Sequence, residues 1–571
     1  MTLVAGIDVG NATTEIVVAD ISTSSPTPLR WDRARTRGPK GSAAAVAGAI
    51  DLLHRMERSA SMRADLLVMA PQHPVHTRGA VLEDRAPDTG RVVVLAAGRA
   101  TPAGRGTGIG RPVAVDTAPD PSLGPVVLVA PDPLGFKRTS VRVNDWIDAG
   151  CDVAGILLAG DEAVLVARRV RRVLPVVDQA DTTAALGCRL VALEVGDPGR
   201  PVRRLTDPVH LAATLGLGAS EHTQAEALAR SVRGLGDVAV GLLPAAPAPS
   251  VTVAARAWMQ DGAGRRTDLL DALGSGDPRL WASARRLGLP DGSGVLSESD
   301  VDDLWAVDLA ALGEDAVLRP GIVSTRSVAL ATLTTSRSDD VADQSRYAAT
   351  LAGRPVLTIA HESDAARAGA LTTPGARRDA VVVDIGGGTI DVVLPDGSAH
   401  VLAGAGDLVT SATSLLLQIP GSQAEWAKRG PCARVESPHV VVEEDGTRRF
   451  LEKPAAAGSV GWLVVPGPAG PLPFDHTLTP PEWRSLRIRL KRGVLGGNLG
   501  RGGADLPSGD VIVVGGPAGD DEVLECVARA LPGAVPGRGD VAGRLGHRWA
   551  VSFGLVALAS AGATTTRTDP T

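Results

Sequence analysis

The sequence predicts an α/β protein with a duplicated core and a second α/β domain inserted between the two copies. Three observations predict it. First, strand-like residues 3–9 (LVAGIDV) and 15–19 (EIVVA) flank the turn Gly10-Asn11-Ala12-Thr13-Thr14, which reads as a hairpin with a glycine hinge. Second, the pattern of strand, acid, glycine turn and strand returns 376 residues later, as AVVVDI (380–385), Gly386-Gly387-Gly388-Thr389 and IDVVL (390–394). Third, strand-like runs at 125–130 (PVVLVA) and 153–159 (VAGILLA) alternate with helix-like stretches between the two hairpins, the pattern of an inserted α/β domain.

In chain order, residues 1–88 form the first part of the core and 89–250 the insertion, with a Gly/Pro/Thr-rich loop (AGRATPAGRGTGIGRP) expected from residue 97. The break Pro244-Ala-Ala-Pro-Ala-Pro249 reads as a linker into a mixed, partly helical linker domain over 251–344. The core resumes over 345–436, is interrupted by a small strand-like insert at 437–478, and ends over 479–571. A third glycine turn, Gly515-Gly516-Pro517-Ala518-Gly519, follows the strand-like run DVIVV (510–514), and the tail 564–571 is expected to fray.

Composition narrows the function. The 571 residues hold 58 Lys and Arg against 64 Asp and Glu, a formal charge of −6, so a general polyanion binder is excluded and no nucleic-acid partner is expected. With 4 Phe, 9 Trp and 1 Tyr, the core must be built from Val, Leu, Ile and Ala, and aromatic base-stacking platforms are not expected. Cys151, Cys188, Cys432 and Cys526 contain no Cys-x-x-Cys pair, so neither a zinc ribbon nor a disulfide framework is read, which fits a reducing cytoplasm. The N-terminal apolar run stops at Asp8 with no basic segment before it, so no signal peptide is expected. The longest apolar stretch, 550–563, falls short of the roughly 20 residues that span a bilayer, and a soluble, cytoplasmic protein with no membrane partner is expected. No H-x-x-x-H, H-E-x-x-H or G-x-S-x-G spacing supports zinc or serine hydrolysis. Gly104, Gly106, Gly108 and Gly110 run as G-x-G-x-G-x-G, which is not the dinucleotide fingerprint.

The hairpins carry the chemistry. Unpaired amides in a tight turn form an anion-binding concavity, and two such turns can grip nucleotide phosphates from either side. Asp8 and Asp384, at the start of each turn, supply negative charge where a hydrated Mg²⁺ bridging the phosphates would sit. An aspartate beside glycine also commonly caps its own turn. Pairing of the motif at opposite ends of the chain favours nucleotide.

The three glycine turns (GIDVGNATTEIVVAD, VVVDIGGGTIDVV and VIVVGGPAG) resemble the phosphate 1, phosphate 2 and adenosine motifs of actin, sugar kinases and heat-shock chaperone ATPases, in the same order. That resemblance implies an actin-like (ribonuclease H-like) ATPase core. It implies phosphate contacts at Gly386, Gly387, Gly388 and Thr389. It also nominates Glu362, in AHESDAA (360–366), as a glutamate that orders water at the γ-phosphate, beside Asp8 and Asp384 as catalytic acids.

A finer resemblance covers most of the chain. The first hairpin, Lys40-Gly41, TPAG (101–104), DEAVLVARRVRRVLPVVD (161–178), AGALTTPGA (368–376) and LAGAGDLV (402–409) are similar to the large subunit of diol and glycerol dehydratase reactivating factors, ATP-dependent chaperone-like proteins for adenosylcobalamin enzymes. The resemblance implies a swivelling domain over 89–250 and weak ATPase activity, with ATP/ADP and Mg²⁺ as ligands. Its implied partners are a small reactivase subunit, in a hetero-oligomer, and an adenosylcobalamin-dependent dehydratase. It places nucleotide contacts at Asn11, Ala12 and Thr13, at Glu436, Ser437, Pro438 and His439, at Gly515 and Gly516, and near Ser552. It places a divalent cation that joins the small subunit at Thr101, Asp161 and Asp178. Where the family commonly has Gly-Gly-Ser, this chain has Gly515-Gly516-Pro517, and proline removes one backbone donor on the adenosine side. Arg487, Lys491 and Arg492 lie on a basic helix over 482–495, facing either nucleotide or solvent. A sugar-kinase-like phosphotransferase and an actin-like filament or scaffold ATPase share the three motifs and stand as the alternatives.

Overall fold

The computed structural model describes residues 2–570 except 24, 73–74, 82–90, 98–102, 132–133, 161, 197–201, 233–235, 245–256, 291–295, 315–326, 335–337, 360, 468–469, 503–508 and 563–564. The chain divides into two units. One comprises Met1–Leu82, Ala255–Ala412 and Ser485–Thr571, the other Glu83–Ala254 and Thr413–Arg484.

The first unit contains the duplication. One of its sheets runs Thr27–Arg35, Thr13–Asp20, Leu3–Val9, Leu66–Met69, Val356–Ile359, Thr565–Thr568. Another runs Ala399–Ala403, Thr389–Val393, Val381–Ile385, Gly509–Val514, Ala534–Arg538. In both, three antiparallel strands lead into two parallel ones, so the repeated hairpin is the part of a repeated sheet that shows in the sequence. The expectation of a frayed tail is corrected: Thr565–Thr568 pairs antiparallel with Val356–Ile359 and closes the edge of the first sheet, its threonines suiting a strand.

Helices Glu362–Ala370 and Ala550–Ser560 cross within a core that also holds Val4, Val68, Val382 and Val514 from the two sheets. A Cβ on Gly369 would strike the Ala550 carbonyl, and one on Gly554 the Ala365 carbonyl, so the helices touch backbone to backbone. The first sheet buries a second set of side chains against helix Ala43–Ala60, which starts at Ser42, whose Oγ accepts from the Ala45 N–H at 3.2 Å. Helix Ser338–Ala352 packs beside it. Close by, the buried Glu57 carboxylate accepts from Arg354 Nη2 at 2.9 Å.

The second unit holds a seven-stranded sheet, in the order Val176–Val177, Val153–Leu158, Val126–Ala130, Gly106–Ala114, Leu190–Val195, Asp237–Leu242, Val92–Ala97. It also holds a five-stranded antiparallel sheet over 433–475, where a strand-like insert is expected. The reading of the glycine-rich stretch as a loop is corrected: Gly106–Ala114 is a central strand. Gly108 and Gly110 answer to crowding, because a Cβ on Gly108 would strike the Ala154 carbonyl and one on Gly110 would lie 2.7 Å from the Pro125 oxygen. This strand pairs through 106–110 with Leu190–Val195 and through 111–114 with Val126–Ala130. The change of partner folds the sheet over, and Val177 shares one core cluster with Val191, Val195 and Ala239.

Candidate functional site

The two hairpins of the first unit close identically. The Gly10 N–H donates to the Thr13 carbonyl at 3.0 Å, and the Gly386 N–H to the Thr389 carbonyl at 2.9 Å. In register, Asp8 stands opposite Glu15 and Asp384 opposite Asp391, so each hairpin carries two acids at equivalent places. The turns meet. A Cβ on Gly387 would lie 3.0 Å from the Ala12 Cβ, and one on Gly388 would collide with the Asn11 side-chain amide, which itself donates to the Val75 carbonyl at 2.8 Å. Gly515 of the third turn has φ 87°, and a Cβ there would collide with Asp384 Oδ1. Asn11, Ala12, Gly387, Gly388, Gly515 and Asp384 are thus brought together from three separate stretches of sequence.

Lys40 and Arg548 face these acids, and the charge of Arg33 also bears on Glu15. Lys40 Nζ donates to Glu362 Oε2 at 2.8 Å, so the helix that begins at Glu362 is tied to the segment just before helix Ala43–Ala60. Arg548 Nη1 stands 3.5 Å from Glu15 Oε1, which also accepts from Thr13 Oγ1 at 3.3 Å. The same guanidinium nitrogen lies 2.9 Å from where a Cβ on Gly516 would stand. His547 next to it holds the third turn, its Nδ1 2.7 Å from the Gly515 carbonyl while its own carbonyl accepts from the Gly515 N–H at 2.9 Å.

Negative charge is in surplus, with Asp8, Glu15, Glu362, Asp384 and Asp391 against Lys40, Arg548 and Arg33. Burial, then the charge of Glu362, raises Asp8 well above the usual carboxylate range, although Lys40 opposes the shift. Burial and the Glu362 and Glu15 charges push Asp384 up to about 7. Asp391 is raised by burial and by Glu362 and Asp384, and among the described residues its buried Oδ1 has no hydrogen-bond partner. Burial acts against the Lys40 ammonium, yet Glu362 and Asp8 outweigh it and the pKa is raised. Burial together with neighbouring like charges is what raises these acids. Among the described residues, no three His, Cys, Asp or Glu side chains form a group that could hold a metal by themselves.

Of the remaining expected residues, Ser552 is buried in helix Ala550–Ser560, its Oγ donating to the Trp549 carbonyl at 3.4 Å and its own carbonyl so close to Gly6 that no Cβ would fit there. Glu436 and Ser437 end strand Ala433–Ser437 of the five-stranded sheet of the second unit and Pro438 and His439 form the turn after it; the Glu436 carboxylate accepts from Arg448 at 2.7 and 2.9 Å. The solvated reading of the basic helix is corrected. Arg487 and Lys491 are buried and paired with Glu522, and Lys491 also with Asp520, at the start of helix Asp521–Ala530; Arg492 reaches Glu525 at 3.4 Å. Thr101 and Asp161 lie outside the described residues. Asp178 is buried in the second unit, and its Oδ2 accepts from the Ala163 N–H at 2.9 Å. Near it is an acid that sequence reasoning misses, Asp237, which burial and then the charge of Asp178 push up to about 7.

Glu15, Asp391, Lys40 and Arg548 also escape sequence reasoning as site residues. Glu15 and Asp391 have a signal, an acid seven residues after each turn-opening aspartate. Nothing in spacing pairs Lys40 with Glu362.

Comparison with known proteins identifies the family. Residues 93–244 match the family model for the DD-reactivating factor swivelling domain, and 292–559 match that for the diol dehydratase reactivase ATPase-like domain. The chain is 28% identical over 600 residues to the diol dehydratase-reactivating factor large subunit of Klebsiella michiganensis, covering 97% of this chain and 98% of that one. It is 28% identical over 602 residues to the propanediol dehydratase-reactivating factor large subunit of Salmonella typhimurium, with the same coverage. The solved structure of diol dehydratase-reactivating factor in nucleotide-free form aligns with a TM-score of 0.55 at 25% identity, covering 98% of this chain and 100% of that one. That of a glycerol dehydratase reactivase shares the fold, with a TM-score of 0.55 at 24% identity and the same coverage. No helix among the described residues is long and apolar enough to cross a membrane. With a duplicated ATPase-like core, a swivelling domain and end-to-end similarity to two large subunits, the chain belongs to the diol dehydratase-reactivating factor large-subunit family.

Proposed function

We propose that the chain is the nucleotide-hydrolysing large subunit of a reactivating factor that releases damaged cobalamin from an adenosylcobalamin-dependent diol or glycerol dehydratase. End-to-end similarity to two large subunits favours this over the sugar-kinase and filament alternatives. The observation that carries the nucleotide part is the meeting of two identically closed hairpins, each bearing two acids, with a third glycine turn. The amides around Asn11, Ala12 and Thr13 and around Gly386 to Thr389 bind the β- and γ-phosphates from opposite sides. Gly515 and Gly516 let the third turn approach the adenosine. Asp8 and Asp384, with Asp391 beside them, would hold a hydrated Mg²⁺ through its waters, and the Asp391 Oδ1, which has no hydrogen-bond partner among the described residues, supports that fit. When bound, Mg²⁺ neutralises charge developing on the phosphates. Glu362, fixed by Lys40, orients the attacking water, and its carboxylate accepts that water's hydrogen bond.

Nucleotide state becomes mechanical because ATP touches turns from both sheets while ADP lacks the γ-phosphate. Hydrolysis shifts closure of the two halves only as far as the two nucleotides differ in affinity for the open and closed forms. Closure is passed to the swivelling domain, where a small subunit docks through a divalent cation at Thr101, Asp161 and Asp178, and where a dehydratase subunit displaces it. The protein works in the cytoplasm with these partners.

The test is reactivation itself. A dehydratase holding damaged cobalamin should regain turnover when given the large and small subunits, ATP, Mg²⁺ and fresh adenosylcobalamin, and should fail with a non-hydrolysable ATP analogue. Calorimetry that detects no ATP or ADP binding to the wild-type chain with Mg²⁺ present would overturn the assignment. Asp161→Asn with Asp178→Asn should weaken small-subunit association while sparing ATP binding, and wild-type association by that double variant would sink the cation bridge.

A further inference from the structure

Three carbonyls of the turn Gly386 to Thr389 are held from behind. The Gly406 N–H donates to the Gly386 carbonyl at 3.1 Å, the Asp407 N–H to the Gly387 carbonyl at 2.7 Å and the Gly404 N–H to the Gly388 carbonyl at 2.7 Å. A trans peptide points its N–H opposite its carbonyl, so the N–H groups of Gly387, Gly388 and Thr389 face the other way. Among the described residues, those of Gly387 and Gly388 donate to no protein acceptor. The segment 404–407 thus sets the direction in which the turn presents its amides.

A buried polar cluster fixes that segment in turn. Asn498, in the helix Gly497–Gly502, is 0% exposed, and its Nδ2 donates to the Ala403 carbonyl at 2.8 Å and to the Gly404 carbonyl at 2.6 Å. Arg501 Nε donates to Asn498 Oδ1 at 2.6 Å, which sets the orientation of the amide, and Arg501 Nη1 donates to Asp303 Oδ1 at 2.7 Å. Asp303 Oδ2 accepts from the Ala403 N–H at 2.7 Å. Asp303 opens strand Asp303–Asp308, one edge of a three-stranded sheet whose other edge, Val75–Val81, supplies the Val75 carbonyl that accepts from Asn11. A buried ion pair is a weak source of stability, whereas a fully bonded polar cluster fixes a single geometry.

We propose that Asn498, Arg501 and Asp303 are positioning residues for phosphate binding: by pinning 403–404 they hold the segment 404–407 against Gly386, Gly387 and Gly388, and so keep the Gly387 and Gly388 amides aimed at the nucleotide. The inference rests on the reading of that turn as a phosphate-binding turn made above, and adds three residues that lie outside every glycine turn. They act through the segment rather than on the phosphates. Consecutive glycines have wide backbone freedom, so a turn without these anchors rotates its peptide planes and withdraws both donors together.

The experiment uses the full-length chain with Mg²⁺. Affinity for a non-hydrolysable ATP analogue is measured by calorimetry for the wild type, Asn498→Ala and Arg501→Lys, at a temperature where circular dichroism shows each to be folded. Glu57→Gln, which breaks a buried ion pair elsewhere in the same unit, is the control for general destabilisation. Asn498→Ala should bind the analogue at least about tenfold more weakly and hydrolyse ATP at least about tenfold more slowly per folded molecule. Arg501→Lys should shift both in the same direction, since lysine keeps the charge beside Asp303 but cannot also hold Asn498. Glu57→Gln should stay within about twofold of the wild type in both, although it melts lower. If Asn498→Ala and Arg501→Lys melt lower yet bind and hydrolyse like the wild type, the cluster is structural only; this inference is then overturned and the phosphate reading of the turn stands. A wild-type chain that binds no nucleotide would overturn both. Should Asn498→Ala fail to fold, Arg501→Lys decides, and wild-type affinity for the analogue in that variant counts against the proposal.

Discussion

Replacing Asp384 by asparagine removes one ionisable acid from a cluster in which five carboxylates outnumber the cations Lys40, Arg548 and Arg33. The residue is 8% exposed, and its pKa is raised from 3.8 to about 7, by burial first and then by Glu362 and Glu15. A displacement of that size corresponds to about 4 kcal/mol against the ionised form. Because the folded-state value is raised for an acid, the native protein holds the proton more tightly than the unfolded chain. Stability conferred at low pH is therefore lost as pH rises from about 4 to about 7, and the full cost is present above that window. Asp384→Asn has no such proton to lose. Without ligand it should match the wild type near pH 4 and exceed it by up to about 4 kcal/mol near pH 8, measured by urea unfolding followed through tryptophan fluorescence. Saturating Mg²⁺ and ATP should narrow or reverse the order, since about 100-fold excess over the dissociation constant adds about 2.7 kcal/mol to the wild type alone. ATP turnover by the variant should fall by at least about 100-fold. An Asp384→Asn protein destabilised equally at both pH values would refute the reasoning, because the aspartate would then be supporting structure rather than waiting for a cation.

Three further outcomes are expected. Lys40→Met should reduce ATP turnover by at least about tenfold with a smaller effect on ADP affinity, since it frees Glu362 without touching the phosphate turns; steady-state kinetics and calorimetry together check the split. Glu57→Gln should cost about 3–5 kcal/mol by leaving the Arg354 guanidinium buried and partly unpaired. Burial opposes the Glu57 charge, but Arg354 and the Ala64 N–H outweigh it and lower its pKa, so this contribution is present above the ordinary value of 4.5 and fades below it, as unfolding at several pH values should record. Gly387→Val should abolish nucleotide binding while preserving the circular-dichroism spectrum, because its side chain would press the two turns apart at Ala12 and Asp407.

The hairpins are legible in the sequence because their chemistry is local: strand, acid, glycine turn and strand lie within about fifteen residues, and short-range propensity decides them. The closing bonds and the acid registers of Glu15 and Asp391 follow from the same local pattern read a few residues further. Lys40 and Glu362 are 322 residues apart, and their ion pair exists only because a helix and a strand-linked segment converge in three dimensions. Gly106–Ala114 reads wrongly as a loop because glycine density signals a turn when seen one-dimensionally, whereas here the missing side chains make room for neighbouring backbone. The solvated reading of Arg487 and Lys491 fails for the opposite reason. A basic helix face looks exposed until Asp520 and Glu522, about 30 residues on, are found against it. Asp237 has no signal at all, since a lone aspartate at a strand start is common and only burial singles it out.

The glycine crossing of helices Glu362–Ala370 and Ala550–Ser560 bears on how tolerance to mutation in this protein would be interpreted. Gly369 and Gly554 each face a carbonyl at a separation that admits no methyl group, and Gly6 faces the Ser552 carbonyl in the same way. Every substitution adds at least that methyl, so a saturation library scored for activity should return these three positions as intolerant as the phosphate-turn residues. Scored for folded protein, the two groups should part: Gly6, Gly369 and Gly554 variants drop out of the soluble pool, while Gly387 and Asp384 variants remain in it. A map built from activity alone would draw a catalytic centre extending along the crossing, and abundance measured beside activity is what would trim it back to the turns.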